Sequence, residues 1–489
     1  MVLVHFDNDR TWKGLLVLGL VLNLLVCFTS DLGLDTQVKM AVDENGALPW
    51  GDLRPEVAGF SDVDDTGDRS VLPLYQTSES LIKATGLVVF LGLIAYVYRS
   101  VGLRSAAVLS ISPAFIFSIG RGYEEVYFAL LFALSFGLFS GLWSQRNRAL
   151  QHLIGGFLLM LIPYAKSMAG PTEVLLGGAA LAAISMAWLM AQSREEMRFQ
   201  WTKQPITAAG VVAGATLLFI AIIGLTRSSP TLAVMLDHPL RYVSAVGFAL
   251  LIGVVIFALF GMVLWPLVTP AHKALRSIHD AQIATMTSMI SAATTALVLY
   301  IAALWTYESV LWDAAWPGVV VTMGNNGRYL TLLFIPVVVL LKHLGAKQGT
   351  PTLDAPAGKA ASIALTLLLL LPISLLAGIH GQTMWTDEAA EVMPLEDGDH
   401  FLFVSDATLG MHWMYTFYEP LDAEANNITG HWRSLDVNWV DDLNQNLPQV
   451  TAIVLSPDVN EVPTGWVVQS SGEADLLNGG GEWRVLTRT

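Results

Sequence analysis

The chain has 489 residues, of which 54% are hydrophobic and 14% charged, and its formal net charge is −15. Ordinary soluble proteins are roughly 25% charged, so this composition excludes a soluble globular protein and predicts a polytopic membrane protein. The single cysteine, Cys27, excludes a disulfide within the chain.

Eleven apolar stretches have the length of membrane-spanning helices, which need about 17 to 25 residues. The first is predicted to be a retained anchor, because no small-residue cleavage site follows Val26, Cys27 and Phe28. The expected fold class is therefore mainly α, a bundle of about 11 transmembrane helices. The predicted spans lie near 12–29, 82–98, 104–120, 125–143, 149–164, 172–192, 206–225, 242–266, 283–306, 329–343 and 360–379.

The distribution of lysine and arginine predicts the orientation of these helices. With the N-terminus in the cytoplasm, the inner segments hold fourteen of these residues, and each segment has at least two. Cytoplasmic loops are enriched in lysine and arginine, so we predict a cytoplasmic N-terminus and an extracytoplasmic C-terminal domain. The short outer loops hold five, which are Arg121, Lys166, Arg227, Arg241 and Arg328.

This topology divides the chain into four predicted parts. They are the cytoplasmic N-terminus with helix 1 (1–30), an acidic first outer loop (31–80), a membrane domain with helices 2–11 (81–379) and a small extracytoplasmic α/β domain (380–489). The last part holds eighteen acidic residues and three arginines. Such a charge repels nucleic acid, which is therefore excluded as a partner.

Segments of the C-terminal domain alternate between strand-like and helix-like patterns. Strands are predicted from Phe401 and from Thr451, a helix over 407–418, and a terminal hairpin with its turn at Gly479. Asn427, followed by Ile and Thr, matches the acceptor motif for N-glycosylation on the side of the membrane that the topology predicts.

The first outer loop begins with two carboxylates directly after helix 1. Asp31 and Asp35 have i, i+4 spacing, and an amphipathic helix is predicted over about 35–44. Charges this close to the hydrocarbon are costly, so they are candidates for function. Asp31 has an alternative role as the N-cap of the loop helix.

The predicted helix interiors hold almost no ionisable residues, and Lys83, Glu124 and Lys166 lie at helix ends. Ion-coupled transporters place acidic or basic groups near the middle of the membrane, often beside broken helices. Neither pattern is evident in the sequence, which favours chemistry at the outer membrane surface over transport.

Charged and aromatic residues recur in the predicted outer loops. Interfacial anchoring would explain them, and we favour it for Tyr242 and Trp316. For Glu124, Glu125 and Arg328 we favour function, because adjacent acids and a cation in loops poor in cations need a reason. The full set is Arg121, Glu124, Glu125, Lys166, Asp237, His238, Arg241, Tyr242, Asp313, Trp316, Arg328 and Tyr329.

The order of four short segments resembles the GT-C superfamily, whose members are polytopic glycosyltransferases that use polyprenyl-phosphate-linked sugars. The segments are Asp31 with Asp35, then Arg121-Gly-Tyr-Glu124-Glu125, then Pro163-Tyr-Ala-Lys166, then Gly327-Arg328-Tyr329-Leu with Pro336 shortly after. The tail lacks the Trp-Trp-Asp-Tyr-Gly sequence of oligosaccharyltransferase catalytic subunits, and Trp385-Thr-Asp387 does not replace it. Arg121-Gly-Tyr-Glu124-Glu125, followed by an apolar helix, resembles the second acidic motif of mannosyltransferase-type members.

The resemblance implies transfer of a hexose from a polyprenyl-phosphate donor to a lipid, glycan or protein acceptor, with inversion. One carboxylate would accept the proton of the acceptor hydroxyl, and cations would hold the phosphate. Asp35 is the first choice for this base, and Asp31 the second. Candidates for the donor phosphate are Arg328, Lys166 and Arg121, and candidates for the substrate are Glu124, Glu125, Tyr329, His238 and Arg241.

Two questions stay open at the level of sequence. Glu124 and Glu125 position a substrate or bind a divalent metal, Mg or Mn, and the sequence does not decide between these roles. A lipid-linked substrate transporter and a non-catalytic membrane protein that displays an acidic outer domain are the alternative functions.

Overall fold

The computed structural model describes most of the chain. The described residues are 9–41, 73–166, 168–194, 210–218, 230–255, 280–311, 315–322, 324–347, 360–379, 384–406, 410–435, 438–475 and 480–489.

The chain folds into two compact units. The helical unit comprises Met1–Leu25, Ala84–Ile119 and Glu124–Ala377, and the mixed unit comprises Val26–Lys83, Gly120–Tyr123 and Gly378–Thr489. The described parts of the predicted first outer loop and of the predicted C-terminal domain thus belong to the same unit.

Helices account for nearly all of the helical unit. Of the helices in the first 379 residues, only Leu34–Ala41 lies wholly in the mixed unit. Four others extend into it at one end, which are Asp9–Thr29, Glu79–Ser100, Pro113–Gly120 and Ala360–Ile379. A further helical segment covers 210–218, and a 3-10 helix covers Gly324–Leu333. The helices are α1 (Asp9–Thr29), α2 (Leu34–Ala41), α3 (Glu79–Ser100), α4 (Leu103–Ser110), α5 (Pro113–Gly120), α6 (Glu125–Ser140), α7 (Arg148–Ala165), α8 (Pro171–Ser193), α9 (Pro230–Asp237), α10 (Pro239–Val255), α11 (Ala281–Leu311), α12 (Val319–Thr322), α13 (Phe334–Lys347) and α14 (Ala360–Ile379).

Among the described residues, five helices are long and apolar enough to cross a membrane, or six if a bent pair counts as one span. The bent pair is α4 with α5, which meet at an angle of 50°. Pro113 explains this break in the predicted span 104–120, because proline lacks an N–H and disfavours helical geometry in the preceding residue. The predicted spans 206–225 and 242–266 lie partly outside the described residues, and the count of eleven is not confirmed.

The long apolar helices keep much of their side-chain surface exposed. In α8, for example, Leu175 and Leu176 are 61% and 69% exposed. Exposed apolar surface of this extent is unfavourable in water, whereas a lipid bilayer accommodates it. The helices therefore have the surface of membrane-spanning segments.

A core between α10, α11, α12 and the 3-10 helix fixes the 3-10 helix in place. Trp305 and Ile301 of α11 are fully buried there, against Tyr329 and Leu333 of the 3-10 helix. Ala245 and Ala249 of α10 pack into the same core. Because both neighbours of Arg328 on the 3-10 helix are buried, its backbone is held at a defined position.

The mixed unit contains a five-stranded sheet with the order β2-β1-β3-β5-β4. β1 lies parallel to β2 and β3, whereas β5 runs antiparallel to β3 and β4. Phe401–Val404 and Ala452–Leu455 are fully buried, so the two central strands form the centre of this unit. The strands are β1 (His400–Val404), β2 (Thr429–Arg433), β3 (Val450–Leu455), β4 (Trp466–Ala474) and β5 (Gly481–Arg488), and the helices are α15 (Trp385–Glu391), α16 (Gly410–Tyr415) and α17 (Trp439–Asn446).

The predicted small α/β domain is thus present as a C-terminal sheet with helices. The strands from Phe401 and Thr451 and the terminal hairpin match β1, β3, β4 and β5, and α16 is shorter than the predicted helix, of which 407–409 lie outside the described residues. We did not predict β2, α15 or α17. The β2 sequence Thr-Gly-His-Trp-Arg has no apolar run, and its strand forms through parallel pairing with β1.

Candidate functional site

Each unit contains a cluster of charged residues, and the first lies in the helical unit. Two adjacent acids open α6, with Glu124 as the N-cap and Glu125 as the first helical residue. Their carboxylates are stabilised there by the partial positive charge of a helix N-terminus. Lys166 is the C-cap of α7, where the partial negative charge favours a cation.

Two ion pairs join these helix ends to each other and to the 3-10 helix. The Nε of Arg328 donates to Oε1 of Glu125 at 2.8 Å, and Nζ of Lys166 lies 3.3 Å from Oε2 of Glu124. Glu124, Glu125 and Arg328 are only 1%, 2% and 7% exposed. Breaking a buried ion pair by removing one partner typically costs about 3–5 kcal/mol, because the other charge is left uncompensated. Each pair therefore depends on both of its members.

Both cations lie near the ring of Tyr329. Arg328 lies 4.9 Å and Lys166 5.8 Å from the centre of its ring. The other guanidinium nitrogens of Arg328 donate to Asn326 at 3.3 Å and to the Tyr329 hydroxyl at 3.4 Å. We call Glu124, Glu125, Lys166, Arg328 and Tyr329 the paired-charge cluster. The structure thus joins five residues that the sequence predicts at the outer face.

His238 and Arg241, also predicted at the substrate site, have other neighbours. Arg241 donates to the Ser309 hydroxyl at 3.1 Å and lies 5.9 Å from the centre of the Trp316 ring. The backbone N–H of His238 donates a hydrogen bond to the carbonyl of Val234. Among the described residues, these contacts do not reach the paired-charge cluster, and Arg241 has the aromatic partner of an interfacial anchor.

The second cluster lies in the mixed unit and is centred on Asp31. The backbone N–H of Met384 donates to Oδ2 of Asp31 at 2.5 Å, and the carboxyl groups of Asp31 and Asp387 share a hydrogen bond. Burial is the main cause that raises the pKa of Asp387 to about 7, and the charge of Asp31 adds to it. Burial also raises the pKa of Asp31, while the bond from Met384 opposes that rise. Below about pH 7 Asp387 is therefore mainly protonated and can donate a hydrogen bond to the carboxyl group of Asp31.

Aromatic packing holds Asp387 at this position. The preceding Trp385 stacks on Trp413 and on Trp483 of β5, with ring centres 6.0 and 6.4 Å apart. The buried hydroxyl of Thr386 accepts a hydrogen bond from Thr416 at 2.6 Å. The N-terminus of α15 is thus fixed on the sheet, and Asp387 in its first turn is directed by that packing.

Three further charged side chains surround the aspartate pair. Nζ of the buried Lys83 donates to the carbonyl of Ser30 and forms an ion pair with Glu79. The pKa of Glu419 is raised by burial and by the charge of Glu79. We call Asp31, Asp387, Glu79, Lys83 and Glu419 the aspartate-pair cluster.

Asp35 lies in the first turn of α2, one turn beyond Asp31, and is half-buried. The start of α2 is held by the carbonyl of Arg121, which accepts from the N–H of Gly33 at 3.1 Å and from the Thr36 hydroxyl at 2.9 Å. Gly33 is required there, because a Cβ at this position would lie 2.4 Å from the Tyr123 ring. The predicted amphipathic helix is confirmed for Leu34–Ala41, and 42–44 lie outside the described residues.

Arg121 is buried in the mixed unit, and its predicted role at a donor phosphate stays a prediction. The same holds for the roles predicted for Asp35, Lys166 and Arg328. Asp387, Glu79 and Glu419 are members of the aspartate-pair cluster that we did not predict. The sequence placed them only among the acidic residues of the first loop and the tail, which does not connect Asp387 with Asp31.

Divalent metal binding by Glu124 and Glu125 also stays a prediction, with a physical argument against it. Each of these carboxylates already faces a cation, which competes with a metal ion for it. The described residues contain no group of three or more His, Cys, Asp or Glu side chains that could hold a metal ion.

Asn427 lies at an exposed turn with a positive φ of 50°, and its Nδ2 donates to Asp397 at 3.0 Å.

Comparison of the chain with models of protein families, with curated proteins and with solved structures finds no match.

Proposed function

We propose that the protein is an integral membrane glycosyltransferase that moves a hexose from a polyprenyl-phosphate donor to a hydroxyl of a lipid, glycan or protein acceptor. The observation that carries this proposal is the hydrogen-bonded pair of Asp31 and Asp387, which lies directly after the apolar helix α1. It provides a proton acceptor at the end of a membrane-spanning segment. The active face is extracytoplasmic under the predicted topology.

The aspartate pair suits a reaction that needs a single base. The acceptor oxygen attacks the anomeric carbon of the donor sugar while its proton passes to the ionised carboxylate of Asp31. The bond between the anomeric carbon and the phosphate oxygen breaks, and its electron pair leaves with the polyprenyl phosphate. Asp387 keeps its own proton and donates it to Asp31 in a hydrogen bond, which orients the base. The contact with Asp387 leads us to place Asp31 ahead of Asp35 as this base.

The paired-charge cluster suits the other requirement, which is to hold the donor phosphate. A guanidinium can bind a phosphate through parallel hydrogen bonds, and charge-assisted bonds of this kind are roughly twice as strong as neutral ones. Arg328, which is buried, and Lys166, which is partly buried, provide two cations that approach one tyrosine ring. The phosphate leaves as a stable anion, so the reaction needs no general acid. Direct displacement by the acceptor oxygen inverts the configuration at the anomeric carbon.

The direct test is to incubate the purified protein with a panel of polyprenyl-phosphate hexoses and measure transfer and hydrolysis. The wild-type protein should process at least one donor, and Asp31→Asn should lower that rate by two orders of magnitude or more, since an amide cannot accept the proton. Glu173→Asn is a suitable control, because its carboxylate caps α8 outside both clusters. If no donor in the panel is bound or processed, the proposal is wrong.

One structural feature favours a second candidate, a transporter of a lipid-linked substrate. The bent pair of α4 and α5 is the kind of broken helix that was not evident from the sequence, and discontinuous helices are common at transporter binding sites. Both candidates bind a lipid phosphate, and they differ in what happens to it. Movement of a labelled polyprenyl-phosphate sugar between the leaflets of proteoliposomes, without chemical change, would favour the transporter.

A further inference from the structure

Glu125 uses only one of its two carboxylate oxygens within the part of the chain that the structure describes. Oε1 accepts the hydrogen bond from Nε of Arg328, whereas Oε2 is buried and has no hydrogen-bond partner there. A buried charged acceptor without a partner is unfavourable by more than a neutral one. An ion pair that served only to hold the fold would be expected to satisfy both oxygens.

The guanidinium of Arg328 is not placed to supply the second bond. Its Nη1 is directed to Asn326 and its Nη2 to the Tyr329 hydroxyl. The neighbouring buried core fixes the 3-10 helix that carries all three residues. Arg328 therefore cannot turn toward Oε2 without losing these contacts.

The group that completes Glu125 must be a hydrogen-bond donor, because an ionised carboxylate only accepts. A cationic donor would lie beside Arg328 and Lys166 and would be repelled by both. A neutral hydroxyl carries no such cost, and it bonds a carboxylate at about 2.5–2.7 Å. The same ligand can present an anion to the two cations.

We propose that Oε2 of Glu125 accepts a hydrogen bond from one sugar hydroxyl of the ligand whose phosphate is bound by Arg328. This inference rests on the proposed function and adds to it the sugar hydroxyl that the protein recognises. Glu125 is then a specificity residue, which selects a hydroxylated phosphate over a phosphate that carries no sugar.

The test is a cycle that combines changes in the ligand with changes in the protein. The ligand is the polyprenyl-phosphate hexose that is processed fastest in the panel described above, together with its single-deoxy analogues and sugar-free polyprenyl phosphate. Wild-type protein should bind one deoxy analogue about ten- to a hundredfold more weakly than the parent donor. In Glu125→Gln the amide oxygen stays on Arg328 and an N–H replaces Oε2, so removal of the same hydroxyl should change affinity less than about threefold. Glu173→Gln is the control and should keep the wild-type pattern.

The possible results separate this inference from the function on which it rests. If wild-type protein binds the donor but no single hydroxyl matters, or if the same losses appear in Glu125→Gln, the inference is wrong while the proposed function stands. If neither the donor nor sugar-free polyprenyl phosphate binds, the proposed function has failed. Should Glu125→Gln not fold, Glu125→Asp retains the charge but withdraws it by one methylene, and it should lose the same hydroxyl preference.

Discussion

Arg328 and Glu125 form an ion pair with a separation of 2.8 Å, in which both side chains are almost completely buried. The two residues lie on different elements, the 3-10 helix and the first turn of α6. The pair fixes the position of a cation that we assign to a phosphate, and the cost of burying it is offset only while both charges are present.

Replacement of Arg328 should affect donor binding and folding separately. Arg328→Lys retains the charge but cannot reproduce the fork of guanidinium N–H groups, so donor affinity should fall about ten- to a hundredfold. Arg328→Ala leaves Glu125 unpaired and should also lower the free energy of unfolding by about 3–5 kcal/mol. Ligand binding and thermal unfolding in detergent measure the two effects. Arg104→Lys, at an arginine that lies over Trp12, is the matched control. Equal donor affinity in Arg328→Lys and wild type would remove the phosphate role.

Substitution of each aspartate of the first loop by asparagine distinguishes the catalytic base from its neighbour. We expect Asp31→Asn to lower transfer by two orders of magnitude or more and Asp35→Asn to lower it less, because Asp31 is the one that bonds to Asp387. Transfer rates at saturating donor, with donor affinity measured in parallel, give the comparison. The reverse order would return the base to Asp35, and two active variants would place it elsewhere.

The dependence of transfer on pH should report the aspartate pair. Asp31 must be ionised to accept a proton, so activity should rise as the pH increases through the raised pKa of Asp31. Activity should fall again as Asp387 loses its proton near pH 7, because two adjacent carboxylates then repel each other. Asp387→Asn carries no ionisable proton and should abolish the alkaline decrease. An unchanged pH profile of transfer in Asp387→Asn would show that Asp387 does not influence the catalytic base.

Stability should depend on pH through the same residue. The pKa of Asp387 is about 7 in the folded protein and about 4 in an unfolded chain. Its contribution to stability is therefore fully present below about pH 4 and is lost as the pH rises toward 7. The free energy of unfolding should change by a few kcal/mol, since a pKa difference of one unit corresponds to about 1.4 kcal/mol. Thermal unfolding of wild type and Asp387→Asn between pH 4 and 8 should show the two midpoints diverging in favour of the variant. Parallel curves would contradict the assignment.

The predicted topology can be tested with single cysteines. The only native cysteine, Cys27, is buried, so background labelling should be low. Thr489→Cys and Asn427→Cys should react with a membrane-impermeant thiol reagent on intact cells. Thr350→Cys, in the predicted inner segment 344–359, should react only after permeabilisation. Labelling of Thr350→Cys alone on intact cells would contradict the predicted orientation.

Local properties of the sequence predicted much of the architecture. Long apolar stretches form helices such as α8 and α11 because burying backbone polar groups in hydrocarbon requires internal hydrogen bonds. The apolar runs at Phe401 and Thr451 form β1 and β3 for a similarly local reason. The break between α4 and α5 was missed although Pro113 marks it, because both halves have the same apolar composition.

The sequence by itself determined the apolar helices, the acidic first loop and most strands of the tail, since each depends on residues that are neighbours in the chain. Six of the ten residues now placed in the two clusters were site candidates from the sequence, and Lys83 was noted as a charge at a helix end, but their partners were not predicted. Only the tertiary structure decided that Asp31 meets Asp387, that Glu125 meets Arg328 and that Arg241 contacts Ser309 and Trp316. These pairings depend on how Trp385 packs on the sheet and how Tyr329 enters the helical core. Packing between distant segments is a property of the assembled surfaces, and no periodicity along the chain encodes it.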